Sequence, residues 1–292
     1  MMTEIKGIAD GCTIGEAVRA GTTFLQNNNI DNADYDSFAL LSHITGISRT
    51  DYFTKGDMAL TEGAVSQFKQ MLNKRAHHVP LQHIIGSAWF YGYEFYVNGD
   101  VLIPRPDTEI LVSESLKVIS KDSRILDMCT GSGCIILTLA KEAEISLGVG
   151  VDLSENALAV AEKNKKKLQA EQVQFIQSDI FKGVDESLYG NLDLIVSNPP
   201  YIRSDVIPTL SEEVRLHDPM MALDGFEDGL FFYREITRQA CRYLKKGGWL
   251  MYEIGHDQGA SVSKIMSECG FKEVSVIKDF AGLDRVVRGI LI

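Results

Sequence analysis

The chain has 292 residues, a formal charge of −11 and five cysteines. Its 45% hydrophobic and 24% charged residues are ordinary for a globular protein, and a chain this long fills a core without metal or disulfide staples, so domain-scale disorder is excluded. The first 100 residues and the remainder are both net acidic, which argues against strong duplex binding through phosphate neutralisation.

Residues 1–7 lack a basic stretch followed by an apolar one, so no signal peptide is expected, and no run approaches the roughly 18 apolar residues of a membrane-spanning helix. Ile14, Ala17, Val18, Phe24 and Leu25 recur at helical spacing behind an N-cap at Thr13. Phe38, Leu41 and Ile44 repeat the pattern until Gly46 stops it, and Val65, Phe68 and Leu72 do so after Thr61. Residues 1–85 are therefore predicted to form a small helical bundle. Residues 86–103 are aromatic and β-prone and contain Asn98-Gly99, the signature of a β-hairpin linker. Pro104 and Pro106 punctuate the chain, and a helix is expected from near Asp107. Strand and helix signals then alternate. Strands are predicted at 124–128, 147–152, 173–177, 192–197, 249–254, 272–278 and 284–292. Helices are predicted from the first strand's turn to about 143, and at 155–169, 230–244 and 258–269. This alternation predicts an α/β domain over 104–292 with a mainly parallel, doubly wound sheet.

Two motifs carry chemistry. Leu126-Asp127-Met128-Cys129-Thr130-Gly131-Ser132-Gly133-Cys134 follows a strand and opens a helix, so backbone N–H groups at the helix start can face a ligand. Asp152 ends the next strand, where an acidic residue takes ribose hydroxyls. Ile136 stands where a dinucleotide fingerprint would want glycine. The second motif, Asn198-Pro199-Pro200-Tyr201, ends the fourth strand, where open α/β sheets bind ligands. The prolines remove two N–H donors and leave their carbonyls as acceptors beside the Asn198 carboxamide oxygen. Such a set can hold a planar NH2 group by both hydrogens, with Tyr201 as a flat face.

The chain resembles the peptide-chain release factor glutamine methyltransferases, the HemK/PrmC family. The resemblance runs through Pro80-Leu-Gln-His-Ile-Ile-Gly86, Val101-Leu-Ile-Pro-Arg-Pro-Asp-Thr-Glu109, the segment from Leu216 through Asp224-Gly-Phe-Glu-Asp-Gly229 to Arg234, and Glu253-Ile-Gly-His-Asp-Gln258. It implies a Rossmann-like class I S-adenosylmethionine-dependent methyltransferase domain behind an N-terminal substrate-docking domain. It also implies methylation of the glutamine amide nitrogen in the Gly-Gly-Gln motif of release factors, with S-adenosylhomocysteine as the other product. The cofactor would contact Cys129, Thr130, Gly131, Ser132 and Gly133, Asp152, Asp179 and Ile180 by the adenine, and Asn198. The substrate glutamine would be held by Asn198, Pro199, Pro200 and Tyr201, with Asn198 and Pro199 carrying catalysis.

Three positions depart from the family pattern. Cys129 replaces a glycine, which is tolerable at negative φ. Ile180 stands where some members carry an aromatic residue, and His83 where a tyrosine is common. Asp127 and Glu109 either contact the cofactor's amino group or brace the loop.

The same Asn-Pro-Pro-Tyr loop also serves nucleic-acid adenine or cytosine amino-methyltransferases, acting on a flipped base. The acidic balance makes a protein substrate the leading reading, with no stable nucleic-acid binding. A non-catalytic cofactor-binding scaffold is the third class, against which the intact loop, Asp152 and Asn198 count. No metal is expected, because His77, His78 and His83 match no common ligand spacing and read as linker histidines. Lys163, Lys165, Lys166 and Lys167 read as a solvated helix face. The five cysteines form no C-x-x-C pair and read as reduced thiols. The expected protein is a cytoplasmic monomer with no membrane association.

Overall fold

A computed structural model describes residues 5–292 and contains two compact units. One comprises the chain up to Gly86 together with Ser211–His217. The other comprises Ser87–Leu210 and Asp218–Ile292.

The first unit is helical: α1 (Ile14–Gln26), α2 (Ala33–Thr45), α3 (Arg49–Lys55), α4 (Glu62–Ala76) and α5 (Leu81–Ile85). The Thr13 hydroxyl accepts from the Glu16 backbone N–H while the Glu16 carboxylate accepts from the Thr13 N–H, a reciprocal cap that starts α1. The Thr61 hydroxyl accepts from the Ala64 N–H and starts α4 without the reciprocal bond, and Gly46, at φ 71°, ends α2. Leu25, Leu40, Leu41, Phe68 and Leu72 are fully buried and form the core. Gly21 lets the helices close, since a Cβ there would lie 2.5 Å from Ser37 Oγ and 2.9 Å from Phe68. Arg75 is buried and donates to Asp36 (2.6 Å), Glu213 (2.8 Å) and the Val79 carbonyl (3.2 Å). With His78 on Glu212 (3.1 Å), it seats the short helix Glu212–His217 in this unit.

The second unit opens with a hairpin, β1 (Ser87–Phe90) and β2 (Tyr93–Tyr96). Its two-residue turn is Tyr91-Gly92, both at positive φ (51° and 80°), and Asn98-Gly99 lies beyond β2. Buried Ala88, Phe90 and Phe95 set this register, with the two Phe rings 6.1 Å apart edge to face. The Glu109 carboxylate, on α6 (Thr108–Leu116), accepts from the Tyr91 N–H at 2.7 Å and holds the turn. This settles Glu109 as a brace of the hairpin.

The main sheet has β3 (Arg124–Met128), β4 (Leu147–Asp152), β5 (Val173–Gln177), β6 (Leu192–Ser197), β7 (Leu244–Glu253), β8 (Lys272–Lys278) and β9 (Asp284–Ile290) in the order β5-β4-β3-β6-β7-β9-β8. The first five are parallel, and β9 is antiparallel to both neighbours. Helices α7 (Cys134–Glu142), α8 (Glu155–Leu168), Phe231–Tyr243 and Gly259–Glu268 complete it. β7 begins earlier than the predicted residue 249, because Leu244 pairs with Leu192 before an irregularity around Gly247-Gly248. The strand order reverses between β3 and β6, and the carboxyl ends there open a crevice. Among the described residues, no helix is long and apolar enough to cross a membrane.

Candidate active site

A cavity of about 330 Å³ lies over the carboxyl ends of β3, β4 and β6, lined wholly by the second unit. Its walls bring together Cys129, Thr130, Gly131, Ser132, Asp152, Asp179, Ile180, Asn198 and Pro200, residues that come from four separate strand ends.

On the β3 side the chain turns through left-handed conformations at Cys129 (φ 62°), Gly131 (53°) and Gly133 (79°). The condition of negative φ for Cys129 is therefore not met, and a residue with a Cβ occupies a glycine conformation. The turn is over-determined. Thr130 N–H donates to the Val151 carbonyl (2.9 Å), and the Thr130 hydroxyl donates to Asp127 (2.6 Å). Asp127 is fully buried, which pushes its carboxyl up to about 7, and it does not line the cavity. It braces the loop from below. Gly133 also stays out of the lining, but it starts α7 where a Cβ would press on Leu137 at 3.0 Å and Phe175 at 3.1 Å.

Asp152 accepts from the Gly131 N–H (2.8 Å) on one oxygen and from the Ser154 N–H (2.9 Å) on the other. Each oxygen keeps a lone pair for a ligand hydroxyl. Burial raises its pKa against these hydrogen bonds. The buried Ser132 hydroxyl lines the same wall beside the Cys134 thiol. Beyond β5, Ile180 is also left-handed (φ 53°), beside an exposed Asp179 that pairs with Lys182. A nucleoside with a charged tail fits this set: paired acceptors for its ribose, a hydroxyl by the loop, and the apolar faces of Ile180 and Met128.

Asn198 and Pro200 face the cavity from β6, whereas Pro199 and Tyr201 are not among its lining residues. The Pro199 carbonyl receives no donor from the described residues. The Tyr201 ring packs against the core of the sheet, and burial pushes its hydroxyl pKa up. Asn198 Nδ2 donates to the Thr108 hydroxyl at 3.3 Å.

Sequence reasoning did not single out what holds this loop. Gln258 donates from Nε2 to the carbonyls of Tyr201 (3.1 Å) and Gly229 (3.2 Å), while its Oε1 accepts from the Gly255 N–H (3.0 Å). Ile202 N–H donates to Leu223 O and Gly225 N–H to Ile202 O, so the segment around Gly225 lies backbone to backbone on the loop. This segment and Gln258 both fall in the stretches that carry the family resemblance, 216–234 and 253–258, but the resemblance assigned neither a role in holding the loop. Met220, Met221 and Phe226 are exposed and line the cavity's rim.

The other candidates stay apart from the site. His77 Nδ1 faces the Asn73 carbonyl, and His78 pairs with Glu212. Cys134, by contrast, does line the cavity, but it is buried and its thiol is pushed up to about 12. No cluster of metal-ligating side chains occurs among the described residues.

Residues 119–282 match a family model described as a methyltransferase domain, and residues 16–86 match one described as the PrmC N-terminal domain. The chain is 38% identical, over 94% of its length and 96% of the relative's, to the release factor glutamine methyltransferase of Agrobacterium fabrum. The relative of the same name from Caulobacter vibrioides is 37% identical over 95% of this chain and 96% of its own. Among solved structures, a methyltransferase from Pyrococcus furiosus shares the fold at a TM-score of 0.51 and 15% identity, covering 69% of this chain and 90% of that one.

Proposed function

Because the chain belongs to the family of release factor glutamine methyltransferases, we propose that it methylates the side-chain amide nitrogen of glutamine in a peptide chain release factor, using S-adenosylmethionine. The target glutamine is that of a Gly-Gly-Gln segment. The helical unit over residues 1–85 docks the substrate protein, and the enzyme works as a cytoplasmic monomer. One observation carries the reading: the Asn198 acceptor and the Asp152 cradle open into the same cavity.

An amide nitrogen is a weak nucleophile, because its lone pair is delocalised into the carbonyl. When bound, the sulfonium cofactor supplies a highly activated methyl group. The protein's contribution is alignment, which can lower a barrier by up to roughly 7–11 kcal/mol. Asn198 Oδ1 and the Pro199 carbonyl accept the two N–H groups of the substrate amide and would orient its nitrogen toward the cofactor's methyl group. Both oxygens also stabilise the positive charge that develops on nitrogen. Proline at 199 and 200 removes backbone donors that would repel the NH2 group. With the cofactor bound, the methyl group would pass from sulfur to the amide nitrogen held by Asn198 and Pro199. The cationic amide is strongly acidic and gives up one proton, leaving one N–H. No histidine lines the cavity, and none is assigned as a base.

The test offers purified protein and labelled S-adenosylmethionine to release factor, DNA and RNA in parallel. Label on the release factor glutamine is expected, and label on nucleic acid alone would replace the reading with the base-methylating one. Asn198→Ala is expected to lower kcat about 100- to 1000-fold, as for loss of one transition-state donor or acceptor, with cofactor affinity kept.

A further inference from the structure

Asn198 can serve only in one orientation. Its Oδ1 attracts a substrate NH2 group, and its Nδ2 repels one, so a freely turning carboxamide would spend time in the wrong state. Density of atoms alone cannot choose between them, because the two ends are nearly the same size.

A polar cluster on and just behind the cavity wall makes the choice: Thr108 lines the cavity and Glu253 does not. Thr108, 2% exposed at the first turn of α6, receives Asn198 Nδ2 on its hydroxyl at 3.3 Å. Glu253, also 2% exposed, ends β7 and interacts with both the Thr108 hydroxyl and the Asn198 side chain. Its Oε2 has no partner at ordinary hydrogen-bond distance, and the residue does not line the cavity. An ionised carboxylate only accepts. The Thr108 hydroxyl must therefore give its proton toward Glu253, and its lone pairs are left for Asn198. Only an N–H end of Asn198 can meet those lone pairs, so Oδ1 is turned to the cavity.

We propose that Thr108 and Glu253 are positioning residues that fix the carboxamide orientation of Asn198 for the substrate amide, an assignment that rests on Asn198 gripping that amide. It also gives the Pro104-Arg-Pro-Asp-Thr108 stretch a purpose: it forms part of the cavity wall and brings one hydroxyl to the Asn198 carboxamide. The device is sensitive to protonation. Burial pushes the Glu253 carboxyl up to about 7, assisted by Asp107 and opposed by Arg285. Tyr201, Tyr233 and Cys134 also face it, and burial raises all three, so they stay neutral at that pH. A protonated Glu253 can donate to Thr108, whose own proton then turns to Asn198 and favours the wrong end. Turnover should therefore fall as pH drops through about 7.

The experiment measures kcat, KM for release factor and cofactor affinity in Thr108→Val, Thr108→Ser and Glu253→Gln, each also combined with Asn198→Ala. Thr108→Val is expected to lose about 10- to 100-fold in kcat, the effect of leaving one buried polar partner unmade, with cofactor affinity unchanged. Thr108→Ser keeps the hydroxyl and should recover most of that loss, and Glu253→Gln should lose the acid limb near pH 7. In the Asn198→Ala background, Thr108→Val should add nothing. Full kcat in Thr108→Val, equal loss in Thr108→Ser and Thr108→Val, or multiplicative loss in the double variant overturns the proposal. Normal kcat in Asn198→Ala alone would instead overturn the underlying reading. Should Thr108→Val fail to fold, the serine and glutamine variants decide.

Discussion

Gly225→Ala tests whether the catalytic loop is held in place by its neighbour's backbone. Gly225 is buried against Tyr201, and its N–H donates to the Ile202 carbonyl at 2.8 Å. A Cβ there would lie 2.8 Å from Tyr201 Cα and 2.9 Å from Tyr201 C and from Gly229 Cα. These are backbone atoms, so no side chain can rotate away. Reaching the 3.4 Å at which ordinary contact begins requires a shift of about 0.6 Å. The loop that carries Asn198 is one of the two bodies that can give. A misplacement near 1 Å at a reacting group costs about 100-fold in rate, so kcat is expected to drop about 10- to 100-fold. The Cys129–Gly133 turn and Asp152 lie on other strands, so cofactor affinity should stay within about threefold. The assay pairs methyl transfer to release factor with calorimetric titration of the cofactor. A folded Gly225→Ala protein with unaltered kcat would refute the reasoning, as would a loss lying wholly in cofactor binding.

Two further outcomes follow from the site and the helical unit. Asp152→Ala should weaken cofactor binding about 100-fold, the scale of two lost charge-assisted hydrogen bonds, seen by titration. Because burial raises the Asp152 pKa, and the ionised form is the acceptor, wild-type affinity should decline as pH falls through that raised value, while Asp152→Asn should bind weakly with little pH dependence. Arg75→Ala should destabilise the helical unit by about 3–5 kcal/mol in urea unfolding, because it strands the buried Asp36. The sign with pH is fixed: the Asp36 pKa, already raised by burial, rises further without Arg75. The deficit is thus largest at neutral pH and shrinks as pH falls through the raised folded-state value, becoming smallest below about 4, where Asp36 is largely protonated folded and unfolded alike. An equal deficit at pH 4 and pH 7 would contradict it.

Local patterns in the sequence carried much of this architecture. β3, β4, β5 and β6 are short apolar runs bounded by glycine or a polar residue, and they stand where the alternation predicts. The cavity-lining residues Cys129 to Ser132, Asp152, Asp179, Ile180 and Asn198 were legible for the same reason: each sits at or just past the end of a readable strand. What local pattern could not register was long-range partnership. Thr108, Asn198 and Glu253 lie on three distant segments, and nothing near any of them announces the other two. Ser211–His217 joins the helical unit through Glu213 and Arg75, a pairing across more than a hundred residues. The hairpin turn fell at Tyr91-Gly92 and not at the stronger local signal Asn98-Gly99, because the buried face of Ala88, Phe90 and Phe95 fixed the register. Backbone sign was equally hidden. Cysteine at 129 gives no hint of φ 62°, and isoleucine at 180 argues against φ 53°.

Those two residues bear on how the site works. A left-handed β-branched residue is a rare conformation, and non-glycine residues there cost of order 1–3 kcal/mol each. Both line the cavity, on opposite strand ends. Each is locked by its surroundings: Thr130 N–H on Val151 O beside Cys129, and Ser178 N–H on Asp152 O, Lys182 N–H on Asp179 O and Gly183 N–H on Ser178 Oγ around Ile180. The relaxed alternatives would release the strain and lose these hydrogen bonds, so the walls have one low-energy shape. A reaction with no assigned base depends on where its atoms are held. On the proposed reading, the rigid walls would hold the cofactor side, and Gln258, Gly225 and the Thr108–Glu253 pair the amide side. The distance between donor and acceptor is then set by β3 and β6, adjacent strands hydrogen-bonded in register. On this arrangement, substitutions that loosen either wall should lower kcat before they lower stability.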